Sequence, residues 1–335
     1  MARPVRGSRY RVRPRLFVFM GVVLAILVLL LWPRGHHPAA PPAAHRSPPP
    51  PVAQSHFTVP KLGWYAGTTL PQPAEGLSAV KAAGDLIAVG GSNGTSSSTS
   101  ITAFGPAPLA ISLPTGVHDA SAVVTQSTLY VLGGGNAVPI ATVQAVSLTG
   151  QNVSAPPALP TPISAAASLT TPRGFVLVGG YTGSTYLDTV ATWTPGQLTV
   201  LAHLPTGVRY AAAAWYDGSL IVAGGLTAQG VSANVYAVNL KTAHVSAWPS
   251  LPHPVYHAEM AVFDGDLMLV GGEVNGNATN ATWVYNPVHK TWVAGPNLPT
   301  PTADGALQVY NGQLWYLGGF GAGGPTPNVW IGKSS

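Results

Sequence analysis

The sequence predicts an all-β domain, a six-bladed propeller of four-stranded blades, preceded by one apolar segment long enough to cross a membrane. Three observations predict it: a motif repeated six times at one register, a hairpin signal inside the copies, and a leading segment of quite different composition.

Arg3, Arg6, Arg9, Arg11, Arg13 and Arg15 form a basic tail over residues 1–15. Leu16 to Trp32 follows, 17 residues without a charge, which is the lower limit for a helix crossing about 30 Å of hydrocarbon. Only Arg34 lies close behind it, so the positive-inside bias puts the N-terminus in the cytoplasm and everything after Trp32 outside. This reading makes residues 16–32 a signal-anchor in a cell membrane. Cleavage of a signal peptide near Ala39-Ala40 or Ala43-Ala44 is the competing reading, and it would leave a secreted protein. Residues 33–60 contain nine prolines, including Pro48 to Pro51, and read as an extended stalk because proline removes backbone donors.

From residue 61 onward the repeat sets in. Paired glycines close a short apolar run at Gly90, Gly133, Gly179, Gly224, Gly271 and Gly318. A Leu-Pro pair begins at Leu70, Leu113, Leu159, Leu204, Leu251 and Leu298, each leucine 20 residues before its glycine. All length variation falls between a glycine pair and the next Leu-Pro, so a rigid unit alternates with a tolerant one. Inside the rigid unit, Gly84, Gly218, Gly265 and Gly312 stand 14 residues after the leucine, three of them preceded by Asp217, Asp264 or Asn311. Such dipeptides between apolar runs supply the positive φ angles of a two-residue type I′ hairpin turn. The first strand of the hairpin is small (SAAAS, 164–168; AAAA, 211–214), as suits strands crowded near an axis. A third strand such as 280–285 and a fourth such as 291–295 complete a blade.

Too few residues follow Gly318 to finish the sixth blade, yet residues 61–71 match residues 290–299. The stretch 62–69 is therefore expected to supply the outer strand of the last blade, closing the ring and leaving no free edge.

Composition narrows the function. The net charge of +5 belongs to the basic tail; from Lys61 on, seven lysines and arginines face ten carboxylates, a net of −3. The domain offers no basic patch, so no nucleic-acid partner is expected. The absence of cysteine excludes disulfides, thiolate metal sites and a cysteine nucleophile. No Gly-rich phosphate loop, serine elbow or metal-binding histidine motif occurs on the propeller, so neither a metal nor any other cofactor is expected.

The glycine pairs, the turn Tyr285-Asn286-Pro287 and Trp292 before Leu298-Pro299 resemble the kelch repeat family, with weaker echoes at Trp193, Tyr236, Trp248, Trp283 and Trp330. The resemblance covers residues 61–335 and implies a kelch-type propeller. Kelch propellers include protein-binding modules, sugar oxidases and sugar epimerases, so the family leaves the activity open. The oxidase branch needs a tyrosine cross-linked to cysteine, which this chain lacks.

Chain direction puts the loop after each glycine pair and the crossover between blades on one face. Residues five and six after each leucine should ring the axial channel there: Glu75 and Gly76, His118 and Asp119, Ser164 and Ala165, Arg209 and Tyr210, Tyr256 and His257, Ala303 and Asp304. In a chain with 7% charged residues, His118, Asp119, Arg209, Tyr210, Tyr256, His257 and Asp304 at one structural position point to ligand binding. The expected function is an extracytoplasmic, membrane-anchored binding module for a protein or carbohydrate ligand. The alternative is an exported sugar epimerase resembling the sialic acid epimerases, with His257, Glu259 or Asp304 as acid and base and Arg209 holding a carboxylate.

Overall fold

The computed structural model describes residues 56–334 apart from 83, 106–108 and 151. The basic tail, the segment 16–32 and the stalk up to residue 55 lie outside the described residues. Among the described residues no helix is long and apolar enough to cross a membrane.

Antiparallel sheets follow one another as six blades, each numbered from the axis outward. Blade one holds Glu75–Ala82, Asp85–Ser92 and Ile101–Phe104. Blade two holds Ser121–Thr125, Thr128–Leu132, Val143–Ser147 and Val153–Ser154. Blade three holds Ala167–Thr171, Gly174–Val178, Thr189–Thr194 and Gln197–His203. Blade four holds Ala212–Tyr216, Ser219–Ala223, Val235–Asn239 and His244–Trp248. Blade five holds Glu259–Phe263, Asp266–Val270, Thr282–Asn286 and Thr291–Ala294. Blade six holds Ala306–Tyr310, Gln313–Leu317 and Val329–Ser334, and its outer strand is the N-terminal Leu62–Ala66, paired with Val329–Ser334 from Leu62↔Ser334 to Ala66↔Trp330.

The expectation of four strands per blade holds for blades two to six. Blade one shows three strands among the described residues: 106–108, where the fourth would begin, are not described, and residues 109–116 carry no strand. Leu109 and Ile111 still pack against the core that blade one shares with blade two.

The dipeptides at the hairpin turns do what their chemistry requires. Asp217-Gly218, Asp264-Gly265 and Asn311-Gly312 have φ of 46° and 74°, 51° and 90°, and 49° and 69°, positive at both central positions as in a type I′ turn. They join Tyr216↔Ser219, Phe263↔Asp266 and Tyr310↔Gln313, the last pairs of their ladders.

The glycine pairs weld neighbouring blades. In every pair the second N–H donates to the carbonyl four residues past the next Leu-Pro leucine: Gly91 to Val117 at 2.8 Å, Gly134 to Ile163 at 2.8 Å, Gly180 to Val208 at 2.8 Å, Gly225 to Val255 at 2.8 Å and Gly272 to Thr302 at 3.0 Å. Gly319 to Ala74 at 2.7 Å closes the series between blades six and one. A Cβ on the first glycine of a pair would meet that same carbonyl, as at Gly271, where it would lie 2.4 Å from the Thr302 oxygen. The fixed offset of 20 residues in the sequence thus reflects a constant 17-residue span between two welds, as from Val117 to Gly134.

The apolar core is divided to match. Six separate clusters each lie between two adjacent blades, from the cluster around Leu129 and Val131 between blades one and two to the one around Leu86 and Leu317 between blades six and one. Burying each such leucine contributes about 1.5 to 3 kcal/mol. No blade can keep its faces dry alone, which is why the ring forms as a unit.

Candidate ligand site at the axial mouth

Six residues, one from each blade, share a left-handed backbone just before the innermost strand: Gly76, Asp119, Ala165, Tyr210, His257 and Asp304, with φ between 53° and 60°. Their amides join in a closed circuit. Asp119 N–H donates to the Gly76 carbonyl at 2.7 Å, Ala165 to Asp119 at 2.9 Å, Tyr210 to Ala165 at 2.9 Å, His257 to Tyr210 at 3.2 Å, Asp304 to His257 at 2.9 Å and Gly76 to Asp304 at 2.8 Å. Positive φ costs a side-chain-bearing residue about 1 to 2 kcal/mol, and bulky residues rarely adopt it. Tyr210 and His257 keep it because the circuit and the welds fix the backbone on both sides.

These six residues, the alanine-rich starts of the inner strands and Glu259 line a cavity of about 120 Å³ on the axis. Position six therefore faces the cavity, and position five forms a layer outside it. Each position-five residue from blades two to six instead bridges to the residue directly after its own glycine pair: His118 to Gly135, Ser164 to Tyr181, Arg209 to Leu226, Tyr256 to Glu273 and Ala303 to Phe320.

The side chains form a continuous polar belt. The Tyr210 hydroxyl donates to Asp119 Oδ2 at 3.0 Å, and the Tyr256 hydroxyl donates to the Glu273 carboxylate. The His257 ring lies between: Nδ1 is 3.7 Å from Glu273 Oε2 and Nε2 is 4.0 Å from Asp304 Oδ1, both too long for a direct hydrogen bond. Its ring packs edge-on to Tyr210 at 3.9 Å between centroids. Asp119 and Asp304 meet over Gly76, where a Cβ would lie 2.5 Å from Asp119 Oδ1 and 3.3 Å from Asp304 Oδ2.

Burial sets the protonation of this belt. Desolvation, followed by repulsion from Asp304, raises the Asp119 carboxyl to about 7, although His118, Tyr210 and His257 oppose the shift. Desolvation, with Glu75 and Glu273 nearby, raises Asp304 to about 7. Glu259, deeper in the shaft, is raised to about 8 by desolvation and by Asp304. Burial pushes His257 below the usual imidazole range despite the carboxylates around it.

Arg209 is placed differently from an ordinary ion-pair arginine. Its guanidinium lies over the rings of Tyr181, Tyr210 and Tyr186, at 4.7, 5.0 and 5.5 Å from their centroids. Among the described residues the ion-pair contacts within 4.0 Å are all made by histidines, so no carboxylate neutralises Arg209 directly. A pairing of Arg209 with Asp119 or Asp304 to hold blades together is absent. His118 also departs from the cavity: its Nδ1 is 2.8 Å from Ser97 Oγ, and its ring lies against Gly135.

The structure thus brings Asp119, Tyr210, His257 and Asp304 together on the cavity, keeps Arg209 and Tyr256 beside them, and sets His118 apart. Glu273, Tyr181 and Tyr186 were not foreseen. Glu273 had a signal, being the one charged residue directly after a glycine pair.

The comparisons with known proteins agree with this architecture. The family model described as the KLHDC2/KLHL20/DRC7 Kelch-repeats domain matches residues 119–319, more than half of the chain. The chain belongs to the kelch-repeat family. No curated protein matches the sequence. Among solved structures, the chain described as "Structure of YjhT" aligns with a TM-score of 0.67, covering 79% of this kelch chain and 96% of that one. At 14% identity, that likeness shows the shared propeller fold alone.

Proposed function

We propose that this kelch propeller is a binding module that takes a polar protein or carbohydrate ligand at its axial mouth, held outside a membrane by residues 16–32. The observation that carries the reading is Arg209. A guanidinium spread over three tyrosine rings, its Nε buried and no acidic partner within 4.0 Å, leaves its terminal donors to a ligand while cation–π contacts hold it in place. The belt of Asp119, Tyr210, Tyr256, His257 and Asp304 beside it supplies the convergent polar groups of a recognition site. Family membership supports protein interaction, since kelch propellers commonly serve it.

In a screen of the purified chain against cell-surface sugars and envelope proteins, Arg209→Ala is expected to weaken the ligand by about 1.5 to 3 kcal/mol, the range of a charge-assisted hydrogen bond, with the melting temperature nearly unchanged. Equal losses of binding and stability would make Arg209 a structural residue and sink the reading.

One observation favours a second reading, acid–base catalysis on a sugar. His257 is held neutral within 4.0 Å of Glu273 and Asp304, while Glu259 sits near 8, so groups able to give and take a proton near neutral pH line one cavity. Loss of turnover with retained binding in His257→Ala is the outcome expected of that enzyme; loss of affinity alone is expected of the binding module.

A further inference from the structure

Half of the ten carboxylates in this charge-poor chain converge on one place. Asp119, Glu259 and Asp304 line the axial cavity, and Glu75 and Glu273 lie close enough to Asp304 to act on it electrostatically. Among the described residues no lysine or arginine pairs with them within 4.0 Å. The one arginine nearby rests on tyrosine rings, and His257, whose two ring nitrogens are both buried and unpaired, stops 3.7 and 4.0 Å short of its carboxylates. Ionising several carboxyls in one buried shaft is unfavourable until a cation enters it.

The kind of cation follows from the walls. Among the described residues, no group of three His, Asp or Glu side chains is placed to hold a metal ion. Acidic groups instead share the walls with the rings of Tyr210 and His257 and a lining of Ala79, Ala122, Ala167, Ala213 and Ala306. Carboxylates for an ammonium head, rings for its diffuse charge and methyl groups for a hydrocarbon stem match one side chain, that of lysine.

We infer that the axial shaft receives the side chain of a lysine on a protein partner, its ammonium settling among Asp119, Asp304 and Glu259. This rests on the axial mouth being the binding site and names what enters it. Arg209, at the margin, would meet a carbonyl or carboxylate of the same partner.

The test uses the purified full-length chain and four probes: Nα-acetyl-lysine methylamide, the same compound acetylated on Nε, glucosamine and acetate. Calorimetry at pH 8.5 is expected to show binding of the first and at least tenfold weaker binding of the other three. Glu259→Gln and Asp304→Asn should each weaken the lysine compound about tenfold or more, and Asp217→Asn, in a hairpin turn on the far face, should leave it unchanged. Equal binding of the Nε-acetylated compound, or tighter binding of glucosamine or acetate, overturns the inference without recourse to any variant. If a ligand from the screen depends on Arg209 while the lysine compound does not bind, the lysine assignment falls and the axial site stands. If ligands are lost only in Asp217→Asn, the axial site falls as well.

Discussion

Asp119 and Asp304 approach each other because the residue between them is Gly76, and burial then holds both carboxyls to about 7. In the unfolded chain they ionise near pH 4, so between pH 4 and 7 the folded state binds more protons than the unfolded one. Stability therefore falls as pH rises through that window, and Glu259 extends the fall to about 8. The side chains acting on them are His118, Tyr210 and His257 at Asp119, and Glu75 and Glu273 at Asp304. Melting followed by circular dichroism should show the propeller less stable at pH 8.5 than at pH 5 by about 1 to 3 kcal/mol, the carboxyls acting as one coupled set. Asp304→Asn, which cannot ionise, should remove part of the slope. A flat profile in the unaltered chain would mean that the cavity is fully hydrated and its acids titrate normally. At this scale the sequence was only partly legible: positions five and six after each leucine could be counted, but their division into a cavity layer and an outer layer depends on a φ near 55° that alanine, tyrosine and histidine do not advertise. The tyrosine bed of Arg209 was hidden for another reason, since Tyr181 and Tyr186 come from the loop of the preceding blade.

At the scale of strands, the repeat was readable because its register is enforced by backbone bonds: a weld from each glycine pair to the next blade leaves the hairpin no freedom of length. The closing strand was readable for the same reason, as a second copy of an outer-strand pattern out of its place in the chain. The outer part of blade one was not, because Leu109 and Ile111 pack on the core while no fourth strand forms there among the described residues. Leu62–Ala66 does more than finish a sheet. It pairs five residues with Val329–Ser334, and Leu62 and Trp64 pack on the core between blades five and six, Trp64 donating its indole N–H to the Pro296 carbonyl at 3.2 Å. Removing residues 62–66 should expose a strand edge and cost several kcal/mol, seen as a lower midpoint in denaturant and as aggregation on heating. Identical midpoints for the shortened and full chains would show that the ring does not depend on its closing strand.

For the molecule as a whole, charge is distributed by region. The arginines of residues 3–15 stand before the apolar run, and the propeller gathers half of its ten carboxylates at the axis. The proposed anchorage predicts that protease added to intact cells removes everything beyond about residue 60 and spares the arginine-rich tail. A mature protein starting near Ala40 or Ala44 would show instead that the segment is cleaved. The propeller itself has one further property that follows from its circuit of six amides. Every bond in that collar runs in the same rotational sense, from the N–H of one blade to the carbonyl of the blade before it, and none uses a side chain. The collar is thus indifferent to what hangs from it. Six sockets, set about 45 residues apart, can be refitted one at a time with the frame unchanged. The only toll is the left-handed backbone, which glycine, asparagine and aspartate meet most easily. A protein with this geometry can exchange one ligand for another by point substitution at Asp119, Ala165, Tyr210, His257 or Asp304, Gly76 being held to glycine by its two neighbouring carboxyls, and its relatives should differ most in chemistry where they agree most in backbone.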